Sequence, residues 1–310
     1  MHSYLRLLVI AGLLFGIVMT GLGWLARWSL LFDVFNNNAV PAIAAGAVGL
    51  LVLALVSRDW LLILATALLA AISVLLFFAG IEGSPTEAAP GADRFLRVVT
   101  MNVRHDNDRI DGAIAFLGET DADVVVLQEM STPHTEALRR KLGARYPHSV
   151  GDFGVVILSK FPIKADGALD RAGHPEWMSP FARWVEIDVK GTPVELVGVH
   201  IARPFYTELQ THDVATLTQF LRGRNLPGIG AGDFNLTPWT EQLKHLLGAA
   251  GLKRYNTFNP TCWRKYPLPP VFVIDHVLAS DRFAKIATTG GPRLGSDHRP
   301  VIADIALVPE

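Results

Sequence analysis

The amino-acid sequence predicts a layered α/β domain preceded by three membrane-spanning helices. Three observations support this. Three charge-free apolar stretches lie near the start, Leu7–Ala26, Ala39–Ser57 and Trp60–Ile81. From Arg94 onward, strand-like and helix-like patterns alternate. The composition is half hydrophobic and only 18% charged over 310 residues, whereas a soluble chain carries about a quarter charged residues.

Each apolar stretch is close to the roughly 20 helical residues that cross a hydrocarbon core. Arg6 precedes the first, as in a signal peptide. That run is longer than a signal's apolar region, and Gly-Trp-Leu-Ala-Arg-Trp at its end offers no clear cleavage site. The spans, at about 5–26, 39–57 and 60–81, define a membrane module over residues 1–81. Residues 82–93, EGSPTEAAPGAD, read as an exposed, extended linker. The remaining residues, 94–310, suit one globular catalytic domain. Three spans put the termini on opposite sides. With Arg6 and Arg58 on the cytoplasmic side, the acidic linker and the domain after it fall outside the cytoplasm. Trp24, Trp28 and Trp60 stand near span ends, where aromatic side chains anchor at the interface.

In the domain, FLRVVTMNV (Phe95–Val103) reads as a strand by its β-branched content. Val124–Leu127 is a continuous apolar run, as expected of a strand buried on both faces. Further strands are expected at Val155–Leu158, Trp184–Val189, Val194–Val199, Gly228–Gly230, Val271–Leu278 and Val301–Leu307. Helices are expected at Ile110–Leu117, Thr135–Leu142 and Glu208–Leu221, with another beginning near Pro238. Such alternation argues for sheets covered by helices.

Only Arg6, Arg27 and Arg58 precede Arg94 among the 28 Lys and Arg, and five of the 29 acids do. The domain therefore carries 25 basic against 24 acidic residues. A protein gripping duplex DNA through many phosphates shows a basic stripe, so nucleic acid is not the favoured partner. The single cysteine, Cys262, cannot form an intramolecular disulfide and reads as a small semi-buried residue.

Polar residues recur where strands end. Asn102 closes TMNV, Glu129 stands in LQEM, and His200 ends ELVGVH. Asp233 and Asn235 belong to GAGDFN, Asp275 to VFVIDHVLAS, and Asp297 and His298 to GSDHRP. These types suit phosphoryl transfer to water. Glu129, Asp297 and the Asn102 amide form a hard oxygen set fit for Mg²⁺, or Mn²⁺, which binds substrate phosphate. Asp233 can orient or deprotonate a water, while His298 and Asn235 can stabilise transition-state charge. Asp275, inside an apolar run, needs a partner and can orient His298. Taken singly, each also reads as a turn, cap or surface residue, and Asp275 as half of a structural ion pair.

In order, TMNV, LQEM, GVVILSKFPI, GVHI, GAGDFN, IDHVLAS and GSDHRPV resemble the motifs of the endonuclease/exonuclease/phosphatase family across almost all of 94–310. The resemblance implies a DNase-I-like four-layer α/β/β/α sandwich. It implies that Glu129 is the principal metal ligand with Asn102 and Asp297 nearby. It places His200, Asp233 and Asn235 on the scissile phosphate or water, and makes His298, paired with Asp275, the catalytic histidine. Either Asp233 or His298 handles the water proton.

Outside these motifs, His148 and Arg203 are candidate substrate contacts, Arg203 because its fork binds oxyanions. The stretch Cys262-Trp-Arg-Lys-Tyr-Pro is a candidate membrane-facing loop, and His105 reads as an ordinary surface residue. Three helices followed by such a domain are similar to bacterial membrane phosphatases of glycopeptide resistance, which act on undecaprenyl pyrophosphate. The expected partners are thus the bilayer and a phosphorylated lipid. A tethered nuclease is the alternative, and a non-catalytic module is disfavoured because every matched position holds a competent residue.

Overall fold

The computed structural model describes residues 2–79, 85–171, 173–174, 180–255, 260–262 and 272–308. The basic aromatic stretch after Cys262 lies outside them. The chain divides into two compact units, Met1–Glu82 with Leu236–His245, and Gly83–Asn235 with Leu246–Glu310.

The first unit holds three helices, α1 (His2–Trp24), α2 (Asp33–Ser57) and α3 (Trp60–Ala79). Among the described residues, Tyr4–Arg27 and Trp60–Phe78 are long and apolar enough to cross a membrane, whereas α2 contributes the shorter apolar stretch Gly46–Val56. Helix α2 extends beyond that stretch at its N-terminal end. It begins at Asp33, six residues before the expected span, so its first turns carry Asp33, Asn36 and Asn37. A two-residue turn joins α2 to α3. Arg58 takes a left-handed conformation, φ 55°, and the Asp59 carboxylate accepts the Leu61 N–H at 3.2 Å. Arg6 pairs with Asp59 at 3.3 Å. A Cβ on Gly16 would stand 2.9 Å from Leu69, so glycine lets α1 approach α3 closely.

The polar start of α2 holds the segment Leu236–His245. Asp33 accepts the backbone N–H groups of Glu241 and Gln242 at 2.9 and 3.0 Å, satisfying orphan donors at the start of α7 (Glu241–Ala250). Asn37 accepts the Thr237 N–H at 2.6 Å, and Trp239 donates to the Phe77 carbonyl at 2.9 Å.

The second unit is built on two six-stranded mixed sheets. One has the order β11 (Phe283–Gly290), β12 (Val301–Leu307), β1 (Leu96–Asn102), β2 (Val124–Met130), β4 (Gly154–Ser159) and β3 (His148–Val150). The other runs β5 (Ile163–Leu169), β6 (Ala182–Val189), β7 (Thr192–His200), β8 (Gly228–Asp233), β10 (Asp275–Ser280) and β9 (Leu252–Arg254). Their inner faces form one core, with Val98, Val126 and Ile157 from the first sheet against Leu196, Ala231 and Val277 from the second. Helices α4 (Ile110–Glu119) and α5 (Thr132–Leu142) cover the outer face of the first sheet. Helix α6 (Thr207–Arg222) meets the second through Phe220 on Trp184, ring centroids 5.9 Å apart. These are the four layers of a DNase-I-like sandwich.

The expected strands β1, β2, β4, β6, β7, β8, β10 and β12 are present, β12 on its expected bounds and the others differing from theirs by a residue or more at one end at least. Strands β3, β5, β9 and β11 were not legible; all are at sheet edges or next to them, and β5 alternates half-buried with exposed positions. The linker is not a free tether over its described part. Thr86 accepts the Lys285 N–H and Ala88 donates to the Lys285 carbonyl, both at 2.8 Å, laying the segment along β11.

Candidate functional site

Strand periodicity places the site. The inward positions of β1, Leu96 and Val98, continue through Thr100 to Asn102. By the same alternation Val194 and Leu196 lead to His200, Ile229 and Ala231 to Asp233, and Val277 and Ala279 back to Asp275. Register completes the row, because His200 is paired with Asp233 and Asp233 with Asp275. Across the core, Asn102 is paired with Gln128.

Glu129 would point outward by this alternation. A register irregularity between Leu127 and Met130, with φ 55° at Glu129, turns its carboxylate in instead. Arg104 and Asn235 also have positive φ, 63° and 50°. Non-glycine residues in this region are uncommon and cluster at functional sites. Gly232 sits at φ 150° where a Cβ would meet the Val199 carbonyl at 2.1 Å, so only glycine lets β8 deliver Asp233 to the rim.

The Asn102 Nδ2 donates to Glu129 at 3.0 Å and to Asp233 at 3.1 Å, joining two carboxylates through one amide. The Asn102 oxygen accepts the Arg104 N–H at 3.0 Å. His200 Nε2 lies 3.7 Å from Glu129 and 3.8 Å from Asp233. Burial would raise the Glu129 carboxyl, but the His200 charge and hydrogen bonds from Asn102 and His105 outweigh it and bring it down to about 2.

The His298 Nδ1–H donates to both Asp275 oxygens, at 3.0 and 2.8 Å. Its Nε2 stands 3.8 Å from Asp233. The imidazole is buried, which would lower its pKa, but Asp275 and Asp233 hold it well above the ordinary histidine value. Burial drives Asp233 the other way, above the ordinary carboxyl value, against the pull of His298. Thr261 donates to Asp275, and the Ser296 hydroxyl accepts the His298 N–H at 3.0 Å while donating to the Asn102 carbonyl at 2.7 Å. Ser296 thereby ties the last motif to the first.

The other candidates divide. The Asn235 amide is brought to the rim but donates to the Ile201 carbonyl at 2.9 Å, and its backbone N–H donates to Asp233 at 2.9 Å. Arg203 reaches the site, 3.8 Å from Glu129. Asp297 groups with Cys262 and His298, ligand atoms within 4.8 Å of one another, and Glu129 belongs to no such group among the described residues. His148 does not reach the site. It pairs with Ser159, which pairs with Val124, four residues along β2 from Gln128 and thus roughly 13 Å away at the strand rise.

Sequence reasoning missed three contributors. Thr261 has no motif around it. Cys262 hydrogen-bonds His298 through its thiol, which burial pushes above its ordinary pKa. His105 is exposed yet places Nδ1 3.3 Å from Glu129; its position three residues after Asn102, at a strand end, was the available signal.

The donor set fits a small divalent cation. Glu129 and Asp233 converge on one amide, and Asp233, Asp275 and His298 form a buried group with ligand atoms within 4.8 Å. Hard oxygens dominate, as Mg²⁺ prefers.

The family model for the endonuclease/exonuclease/phosphatase family matches residues 99–298, nearly two thirds of the chain. The chain belongs to this family. Its members are hydrolases acting on phosphoester bonds. Solved structures share the fold. A mannosyl-6-phosphatase from Bacteroides thetaiotaomicron is 20% identical, with TM-score 0.55 over 68% of this chain and 100% of its own. Sphingomyelinase C from Streptomyces griseocarneus is 21% identical, with TM-score 0.51 over 67% and 98%. Beta toxin from Staphylococcus aureus, solved with bound magnesium ions, is 16% identical, with TM-score 0.52 over 67% and 99%. No curated protein sequence matches the chain.

Proposed function

We propose that the chain is a membrane-anchored, divalent-metal-dependent phosphoesterase that hydrolyses a phosphate or pyrophosphate of a membrane lipid. The observation that carries the chemistry is the convergence of Glu129, Asp233 and the Asp275-paired His298 on one rim. Mg²⁺, or Mn²⁺, held by Glu129 and neighbouring oxygens, would neutralise charge on the phosphoryl group. Asp275 orients the His298 ring. With Nε2 protonated the imidazole faces developing charge and Asp233 takes the water proton; with Nε2 unprotonated the imidazole takes that proton itself. Arg203 adds positive charge beside Glu129 for substrate phosphate, and the His200 ring stands next to that carboxylate.

The lipid half of this reading rests on the helices. Large apolar side chains on α1 and α3 are exposed, among them Leu8, Phe15, Leu64 and Leu75, a pattern that marks a lipid-facing surface. In this reading all three helices span the bilayer, the polar turns of α2 lie at one boundary, and the catalytic domain is extracytoplasmic. The resemblance to undecaprenyl-pyrophosphate phosphatases supports a lipid pyrophosphate. The balanced charge of the domain weighs against nucleic acid.

The test uses the purified full chain in detergent with Mg²⁺, assayed on a polyprenyl pyrophosphate, a phosphodiester lipid, and single- and double-stranded DNA. Phosphate release from the lipid should dominate, and faster DNA cleavage makes the protein a tethered nuclease instead. Glu129→Gln should abolish turnover in a folded protein; undiminished activity at saturating Mg²⁺ removes Glu129 from the site. A reporter fused after Glu310 should be active only in its extracytoplasmic form, and cytoplasmic activity reverses the topology.

A further inference from the structure

The helical unit contains a cavity of about 510 Å³, within the size range of ligand pockets. Every residue lining it belongs to that unit, either to the helices or to Leu236–His245. Its walls are apolar: Ile17 and Trp24 from α1, Ile43 from α2, Leu69, Ile72 and Leu76 from α3. These positions come from the second half of α1, the first half of α2 and the second half of α3. In an up-down-up arrangement that is one end of the bundle.

Two polar features mark the cavity as more than a packing gap. Ser73, 2% exposed, lines it, and its hydroxyl has no hydrogen-bond partner. A helical serine ordinarily bonds the carbonyl one turn back, as Thr66 and Thr20 do here. Arg27 also lines the cavity. It stacks over Trp24 at 5.9 Å and makes no ion pair among the described residues. Lys244 and Glu241 line it too and pair with each other at 2.9 Å, so Arg27 supplies the unbalanced charge. An apolar chamber with one uncompensated guanidinium matches a hydrocarbon chain ending in an anionic head.

We infer that this cavity binds the hydrocarbon chain of an anionic, phosphorylated lipid, with the head drawn to Arg27. The inference rests on the lipid-phosphatase reading for its biological meaning and names where that substrate is held. Chain continuity connects the two. Trp239 lines the cavity only four residues after Asn235 of the GDFN motif. The segment that carries the motif out of β8 is thus also a wall of the lipid chamber. Clasping of Thr237 and of the start of α7 by Asn37 and Asp33 keeps that wall in place.

Trp24 and Trp239 allow the test. The full chain, in bilayer nanodiscs of unbrominated lipid, is titrated with lysophosphatidic acid bearing a dibrominated acyl chain, and tryptophan quenching is read. A monoacylglycerol with the same chain is the neutral control. Quenching by the anionic lipid should saturate. Gly21→Phe should weaken it at least fivefold, because Gly21 lines the cavity and no atom lies within 4 Å of a Cβ there, which leaves room for the ring at the cavity wall. Arg27→Gln should weaken the anionic lipid at least fivefold and change the neutral one by less than twofold. In parallel, Gly21→Phe and Ser73→Leu should each lower the ratio of lipid-phosphate to soluble-ester hydrolysis at least tenfold. Unsaturable quenching, or quenching indifferent to Gly21→Phe, overturns the inference, as does an unchanged hydrolysis ratio in both variants. Saturable, variant-sensitive quenching in a protein that hydrolyses no lipid phosphate would support the cavity while defeating the proposed substrate. Lipid hydrolysis with failed quenching does the reverse.

Discussion

Two buried acid–base pairs stand in the catalytic unit, and comparing them shows what separates a strut from a reactive pair. Arg171 grips Asp213 through Nε at 3.0 Å and a terminal nitrogen at 2.6 Å. His298 grips Asp275 through Nδ1 at 3.0 and 2.8 Å. All four side chains are buried, so neither burial nor pairing distinguishes them. Their surroundings do. The Arg171 pair also bonds backbone, donating to the His200 carbonyl and accepting the Ala202 N–H, which fastens the end of β7. The His298 pair turns its second ring nitrogen toward another carboxylate, Asp233. A guanidinium keeps its proton at any working pH, whereas an imidazole can exchange one. The first pair positions His200; the second can do chemistry.

The comparison breaks first at His298. His298→Ala should lower kcat by roughly 10²–10⁴-fold, the range for a lost acid–base group, in steady-state phosphoester hydrolysis. A loss under threefold would put His298 among the struts. Arg171→Met should act oppositely. It leaves Asp213 buried without its cation, which costs about 3–5 kcal/mol of stability, read as a lowered unfolding midpoint in denaturant. The activity of the protein that remains folded should fall far less than in His298→Ala. A large kcat loss without destabilisation would merge the two classes.

A third, exposed cluster sharpens the contrast at its weak end. Hydrogen bonds from Lys160 at 2.7 Å and Arg94 at 3.0 Å bring the Asp121 carboxyl down to about 2. A carboxyl lowered on folding adds stability above its ordinary pKa, and that contribution is lost as pH falls through the folded value. Asp121 is more than half exposed, so solvent screens the effect. Asp121→Asn should therefore flatten only slightly the fall in melting temperature between about pH 4 and 2, and added salt should shrink the difference. Asn tolerates the φ of 53° at this position, so backbone strain does not confuse the result. A drop comparable to Arg171→Met would show that exposure does not separate these pairs.

Much of the catalytic unit was legible because the chemistry sits where periodicity ends. A run such as VVVLQEM announces a buried strand, and the polar residues at its end stand near the rim. That logic located Asn102, Glu129, His200, Asp233 and Asp275. It does not speak to His148, a candidate from outside the motifs, whose strand is a three-residue edge with no apolar run to announce it. It failed for Thr261 and Cys262, which act on Asp275 and His298 from a segment without periodic pattern. Helix α2 begins six residues before the expected span for a related reason. Asp33, Asn36 and Asn37 look like the end of a span until their partners are known, and those partners lie some 200 positions away in the chain.

By itself the sequence determined which strands are buried, where the polar groups fall along them, the apolar character of the first helices and the family motifs. These depend on residue type and spacing, which local chemistry reads directly. Only the tertiary structure decided that Glu129 turns inward at an irregular, left-handed residue, that one amide joins Glu129 to Asp233, and that Leu236–His245 folds with the helices. Those outcomes depend on register and on partners far apart in the chain, and no local pattern carries the position of a distant partner.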